Sequence, residues 1–349
     1  MKEASINTQV EGIRYKAMIG TGGIGSGSLF LLRGNHTLGR EESRGGKFLN
    51  AKDYCKLHII SHNVKKIMGP DFLVFPVGKV GEDDIGRSIY LEMEQAGLEM
   101  QYVRYSANDR TLFGFCFLYP DGTGGNLTTE DSASTKVDPV FIDSAIPVFS
   151  KFSGNFISLS SPEVPLAARK ELLEISREYN GFSAASFTSG EMAEADENDL
   201  FKLVDLLAIN IDEAAAFTQM DAGQDKPQLI VEKTIDKMIA INPSAMLSIT
   251  FGKHGSWSWD GRILSFVPVF PVEAKSSAGA GDAHFAGIIS GLSSGMTLKQ
   301  AQVLGSLAGA FSVTSPHTIH PGMSRKNLRK LAHNFKNRIE PDLLEFLAD

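Results

Sequence analysis

The chain has 349 residues, 42% of them apolar and 21% charged, with 34 glycines, which suits a globular protein with a large core. Its 34 basic residues against 41 acidic ones leave a net charge of −7, which argues against nucleic acid or anionic membrane as a main partner. Only two cysteines occur, Cys55 and Cys116, in no shared motif, so a disulfide framework is not expected and a reducing cytosol is. The opening MKEASINTQVEGIRYKAMIG lacks an apolar run long enough for a signal peptide. No stretch approaches the roughly 20 apolar residues of a membrane span. A cytoplasmic location follows as the expectation, and the glycosylation-type triplets at Asn35 and Asn126 are then chance matches.

No internal repeat or low-complexity linker cuts the chain, so one domain over 1–349 is expected. Tyr15–Gly20 reads as a strand entering a glycine-rich turn, and Phe72–Val77 as a second strand. Asp84–Ala96 reads as a helix closed by Gly97. Thr111–Tyr119 followed by Pro120-Asp121-Gly122-Thr123-Gly124-Gly125 has the form of a hairpin. Further on, Asn155–Leu159 is a short strand and Pro165–Tyr179 a helix. Leu203–Asn210 is a strand with a helix from near Asp212, Lys226–Ile239 a helix and Ala245–Thr250 a buried strand. Ser256–Trp259 and Arg262–Val267 make a second hairpin across Asp260-Gly261, and Gly279–Leu292 and Leu298–Val313 are helices. Repeated strand–loop–helix units build an α/β fold with a mainly parallel sheet and ligands at the strand ends.

The sharpest local signal is Ser276-Ser277-Ala278-Gly279-Ala280-Gly281-Asp282-Ala283-His284. Small residues at a helix start leave backbone N–H groups open, and with the positive end of the helix dipole they suit a phosphoryl group. Asp282, in the first turn, could accept a hydroxyl proton beside that site. Taken alone, the stretch reads equally well as a close-packed helix entry with Asp282 stabilising the dipole.

Gly279-Ala280-Gly281-Asp282 resembles the C-terminal signature of the ribokinase-like, or PfkB-type, carbohydrate kinases. Other motifs of that family occur in order: Gly45-Gly46-Lys47-Phe48-Leu49-Asn50-Ala51, Val77–Gly86, Asn210-Ile211-Asp212-Glu213, and Thr250-Phe251-Gly252-Lys253-His254-Gly255. Ser312-Val313-Thr314 falls where many members end their last long helix. The resemblance implies a three-layer α/β/α sandwich with a mainly parallel central sheet and a small β lid, from segments around 27–50 and 100–131. It implies transfer of the γ-phosphoryl group of ATP to a hydroxyl of a sugar-like molecule. Asp282 would be the base and Gly279, Ala280 and Gly281 the anion hole. Thr250, Gly252, Gly255 and Ser306 would border the nucleotide. Gly45, Gly46 and Asn50 would hold the acceptor, and Asn210 and Glu213 would organise Mg²⁺ through water. A homodimer through the lid is a further expectation. Asn210 or Asp212 could instead simply cap a helix start, and Gly45–Gly46 could be a surface turn.

Two departures bear on the site. Ser276-Ser277-Ala278 stands where the family has Asp-Thr-x, which removes a carboxylate that helps hold a monovalent cation in several relatives. The turn Ile19–Ser26 carries no carboxylate where many members have a sugar-gripping Asp near Gly25, and the 51–69 segment is longer and more polar than usual. Ser306 stands where an Asn is common. Three rivals follow. Gly20-Thr21-Gly22-Gly23-Ile24-Gly25 fits a dinucleotide fingerprint, which requires a helix next and an acidic strand end about 20 residues on. A catalytically silent sugar- or nucleotide-binding regulator would keep the fold without the chemistry. A nucleoside acceptor would want an aromatic slot, and Phe113, Phe115 and Phe117 could supply one. No Walker-type P-loop occurs. His284 reads as a packed helix histidine more readily than as pocket lining, His317 and His320 as loop residues, and Trp257 and Trp259 as hairpin packing.

Overall fold

The computed structural model describes residues 14–121 and 124–348. Its strands are β1 (Ala17–Thr21), β2 (Gly25–Leu32), β3 (Gly46–Phe48), β4 (Asp53–Tyr54), β5 (Leu73–Gly81), β6 (Val103–Ser106) and β7 (Leu112–Leu118). They continue with β8 (Gly124–Thr128), β9 (Phe156–Ser160), β10 (Phe182–Ala185), β11 (Leu206–Asn210), β12 (Met246–Thr250), β13 (Ser256–Trp259) and β14 (Leu264–Val267). Nine of them form one sheet in the spatial order β14-β13-β12-β11-β10-β9-β1-β5-β6. Pairing is parallel from β12 through β6 and antiparallel in the β12–β13–β14 meander.

Strands buried on both faces favour apolar and small residues, and β1 and β9 are buried throughout, with the hydroxyls of Thr21, Ser158 and Ser160 hydrogen-bonded inside. Ala17 and Ile19 enter one core and Met18 the other, as the two-residue strand period dictates. The first core is closed by helices Leu166–Glu178, Ile211–Thr218 and Pro227–Ile241. The second is closed by helices Lys56–Met68, Asp84–Gln95 and Ala280–Ser293. Helix Leu298–Ser312 packs on the last of these, and a Cβ on Gly287 would stand 2.6 Å from Gly305 Cα, so the two backbones touch. The molecule is therefore a three-layer α/β/α sandwich.

The chain runs from β1 outward to β5 and β6, then returns to the other side of β1 with β9 and continues to β12. This reversal opens a crevice between the carboxyl ends of β1 and β9, where open α/β sheets take their ligands. A second, five-stranded sheet stands over it: β3-β2-β7-β8, with β4 paired to β2. Asp83 ties this sheet to the core. Its Oδ1 accepts Gly86 N at 2.7 Å, capping the 84–95 helix, and its Oδ2 accepts Thr111 N at 2.8 Å at the start of β7.

The elements read from pattern are all present, with ends shifted by a few residues. Leu200–Leu203 forms a 3₁₀ turn, so the strand expected from Leu203 begins at Leu206. Both hairpins are present; turn residues Gly122 and Thr123 of the first lie outside the described residues, as does the opening stretch 1–13. The glycine run 20–25 leads straight into β2, where a dinucleotide site needs a helix, so that rival has no structural basis. The helix Lys56–Met68 and β10 were not legible in the pattern. Among the described residues no helix is long and apolar enough to cross a membrane.

Candidate active site

Gly279 has φ 74°, and a Cβ there would lie 2.5 Å from Thr318 O, so only glycine makes this entry to the 280–293 helix. Ala283 N donates to Gly279 O at 2.9 Å, closing the first turn. The first-turn amides before it lack intrahelical partners. Ala280 N is engaged by Ser277 O at 3.2 Å. A Cβ on Gly281 would meet nothing within 4 Å, so the backbone there is open to an approaching group. Asp282 follows, its side chain 17% exposed.

Lys56 opens the 56–68 helix, which packs on the 280–293 helix. Its Nζ lies 3.6 Å from Asp282 Oδ1. Burial pushes the Asp282 carboxyl above its ordinary range while the Lys56 ammonium pulls it back. Asp282, followed by burial, Glu163 and Glu213, acts on Lys56, which is held firmly protonated. Glu163, at the crevice after β9, has φ 78°, an uncommon conformation outside glycine. Its Oε2 accepts Lys56 N at 3.1 Å. Burial lifts its pKa to about 7 against the pull of Lys56. Asp53, on β4, is 8% exposed and lies across from Gly27, where a Cβ would fall 2.2 Å from its Oδ2. Burial raises its pKa too, opposed by a bond from Cys116, and the Asp282 charge adds to the rise. Lys56, Glu163 and Asp53 carry no sequence motif. Their signals are positional: Glu163 sits three residues past a strand end at the switch point, and Asp53 and Lys56 flank a helix start.

Asn210 and Glu213 form a reciprocal cap: Asn210 Oδ1 accepts Glu213 N, and Glu213 Oε2 accepts Asn210 N, both at 2.8 Å. The simple capping role is thus real, and both residues also line a cavity of about 80 Å³ with Lys56, Thr250, Gly281 and Asp282. Thr250, Gly281 and His284 border a second cavity too, of about 440 Å³. That one gathers Gly252, Gly255, Ser306 and Ala280 against apolar walls from Val269, Phe270, Val272 and Val313. His284 is buried with Nε2 unpartnered, and burial lowers its pKa to about 4, so it is neutral. Gly45, Gly46 and Asn50 are exposed on and beside edge strand β3 and line neither cavity.

The small sheet has two unlike faces. Pairing puts Gly27, Gly114, Cys116, Asn126 and Thr128 on one face with Asp53, and Cys116 Sγ lies 3.6 Å from Asp53 Oδ2. This face, which also carries Leu29 and Leu112, looks onto the crevice: a Cβ on Gly23 would meet both Glu163 and Leu112, and Glu163 acts on the Cys116 thiol. Phe30, Phe113, Phe115, Phe117 and Leu127 take the opposite face, with Phe30, Phe48 and Phe115 in ring contact. The three phenylalanines weighed as a nucleoside slot therefore point away from Asp282.

A doubly wound α/β sandwich with a lid sheet over its switch point is the ribokinase-like fold. The ribokinase of Arabidopsis thaliana, solved with ribose and ATP, superposes with a TM-score of 0.73 at 18% identity over 91% of this chain and 98% of that one. The family model for pfkB family carbohydrate kinases matches residues 45–325. The chain belongs to that family. It is 33% identical over 70 residues to YegV, an uncharacterized sugar kinase of Escherichia coli, a stretch covering 20% of this chain and 22% of that protein. It is 24% identical over 242 residues to the ribokinase of Bacillus subtilis, covering 69% and 75%.

The Glu163 carboxyl has a pH signature. Its folded pKa of about 7 lies above the ordinary 4.5, so the folded state holds a proton that the unfolded chain has lost between those values. Stability is full below pH 4.5 and falls as pH rises through 7. Urea unfolding at pH 5 and pH 8 should show a loss on the order of 2 kcal/mol that the Glu163→Gln protein lacks.

Proposed function

We propose that the protein transfers the γ-phosphoryl group of ATP to a hydroxyl of a sugar-like acceptor. The observation that carries this reading is Asp282 in the open first turn of the 280–293 helix, where two cavities meet at Gly281 and Thr250. The larger cavity suits a nucleotide: apolar walls for the base, and glycines at 252 and 255 that let phosphates approach the backbone. The smaller leads the phosphate end to Asp282. The solved relative with ribose and ATP adds support for that nucleotide.

Asp282 accepts the proton of the acceptor hydroxyl as its oxygen bonds to the γ-phosphorus and the bond to the ADP oxygen breaks. The amides of Gly279 and Gly281, with the helix dipole, hold the charge on the group in transit; Ala280 joins them when its bond to Ser277 O opens. Thr250, Gly252, Gly255 and Ser306 hold the nucleotide, and Gly45, Gly46 and Asn50 reach the acceptor when the lid closes. Glu213, a buried carboxylate whose pKa burial raises, fits a nearby cation, with Asn210 beside it. Among the described residues no group of three His, Cys, Asp or Glu is placed to hold a metal, so Mg²⁺ here would rest on Glu213, water and the nucleotide itself. It would neutralise charge on the β- and γ-phosphates. With Ser276 in place of a carboxylate, that turn lacks the acidic side chain that helps hold a monovalent cation in several relatives.

ADP release from ATP and Mg²⁺ over a panel of sugars and polyols tests the assignment. Asp282→Asn should lower kcat by about 10²–10⁴ with nucleotide affinity kept. Tight ATP binding with no turnover of any acceptor would favour the silent regulator instead. The Lys56 ammonium favours the ionised form of Asp282 against the effect of burial, so Lys56→Met should move the acid limb of kcat/KM to higher pH. Lys56→Arg should hold it nearer its native position; an unmoved limb in Lys56→Met would remove Lys56 from this role.

The aromatic lid face, with Phe48 67% and Leu127 62% exposed, offers a surface for a second copy. Sedimentation should give twice the chain mass for the native protein and the single chain mass for Phe48→Glu.

A further inference from the structure

The acceptor side of the site is unusually acidic. Asp53, Glu163 and Asp282 converge on it, and their charges act on one another. Glu213 stands behind them, lining the smaller cavity. Among the described residues, Lys56 is the cation that acts on both Glu163 and Asp282, and it is already within 3.6 Å of Asp282. Arg169 also acts on Glu163, yet it is fully buried and committed, donating to Ser160 Oγ, Glu191 Oε1 and Ser186 O. Lys52 lines a cavity with Asp53 but is paired there with Glu92 at 2.9 Å. His58 behind Tyr54 is buried and neutral, its pKa lowered by burial to about 3.

Carboxylates of this kind accept hydrogen bonds from hydroxyls and repel anions. Asp53 is placed for that. Its neighbour Gly27 has no side chain to cover it, and it already accepts from the Cys116 thiol, the Tyr54 backbone and the Thr318 hydroxyl, which leaves lone pairs of its two oxygens for a ligand. Asn126 and Thr128 beside it add an amide and a hydroxyl on the same face.

Resting on the kinase reading above, we propose that the acceptor is an uncharged, hydroxyl-rich molecule, read by the Asp53 and Glu163 carboxylates, and that phosphorylated or carboxylated sugars are rejected. A phosphate monoester in this crevice would bring two negative charges beside Asp282, Asp53 and Glu163, the last of which gives up its proton only near pH 7, with Lys56 to offset them, whereas a neutral polyol brings donors. Asp53 is the specificity-determining residue. It does not touch the phosphoryl group, so its loss should act on acceptor binding rather than on nucleotide binding.

The test pairs neutral compounds with anionic counterparts: ribose with ribose 5-phosphate, fructose with fructose 6-phosphate, glucose with gluconate, and myo-inositol. Binding to the full chain is read by calorimetry with ADP and Mg²⁺ present, and turnover is read separately by ADP release. At least one neutral compound should bind, about 100-fold or more tightly than its anionic counterpart where one is paired with it. Asp53→Asn should weaken that binding about tenfold or more, with ADP affinity and the thermal midpoint unchanged, and Glu163→Gln should weaken it in the same direction. Equal or tighter binding of an anionic counterpart overturns the proposal. So does failure of every neutral compound to bind, or an Asp53→Asn protein with native affinity. Neutral binding that depends on Asp53, without turnover, upholds this inference and sinks the kinase reading, so the two fail separately.

Discussion

A carboxylate that must take a proton from a hydroxyl has to be ionised before the reaction and shielded from water during it, and these demands conflict. Burial raises the Asp282 pKa, as it raises those of Asp53 and Glu163. Lys56 answers this with its ammonium 3.6 Å from Asp282 Oδ1, and the first turn of the 280–293 helix adds its dipole. Much of the architecture follows from bringing these two helix starts together. The 56–68 and 280–293 helices pack side by side on one face of the sheet, and Gly287 against Gly305 lets the 298–312 helix close in behind.

The lid depends on a similar economy of side chains. Gly23, Gly25 and Gly27 run under it, and a Cβ at any of them would collide with Glu163, Leu112 or Asp53. The missing carboxylate of the first turn is therefore linked to the carboxylates present: β2 carries no side chain where Asp53 and Glu163 need room. Asp83 fastens the lid at its base through Thr111 while capping the 84–95 helix. Movement of the lid would then pivot near a point fixed to the core, which suits a cover that opens for an acceptor and closes to exclude water.

The parallel strands and amphipathic helices were legible because burial on both sheet faces and one-sided helix packing leave clear periods. The 280–283 turn, the Asn210–Glu213 cap and the 250–255 loop were legible because their chemistry needs adjacent residues. The 56–68 helix was not. It buries His58, Ser61, Asn63 and Lys65 along with Leu57, Ile60 and Val64, so no polar face marks its period. Lys65 survives inside by donating to Pro70 O and Phe72 O, contacts that no pattern forecasts. Glu163 lies more than 100 residues along the chain from Asp53 and Lys56 and meets them only because β9 returns beside β1, next to the start of the lid. Chemistry assembled by topology leaves no local trace in the chain.

The uneven charge of the two halves of the site bears on turnover as well as on choice of acceptor. On the proposed reading, the nucleotide side offers amides, small residues and apolar walls, and the acceptor side offers carboxylates. A neutral acceptor enters that acidic crevice without electrostatic cost. In the proposed reaction the phosphorylated acceptor would carry two negative charges beside Asp53 and Glu163, with Asp282 then protonated and Lys56 left to face the new phosphate. The proton on Asp282 eases the repulsion for the moment of transfer. When that proton returns to water, the restored carboxylate and its neighbours favour departure of the product. The arrangement that selects an uncharged acceptor would thereby also expel the charged product, and both effects follow from placing several acidic groups around a single lysine.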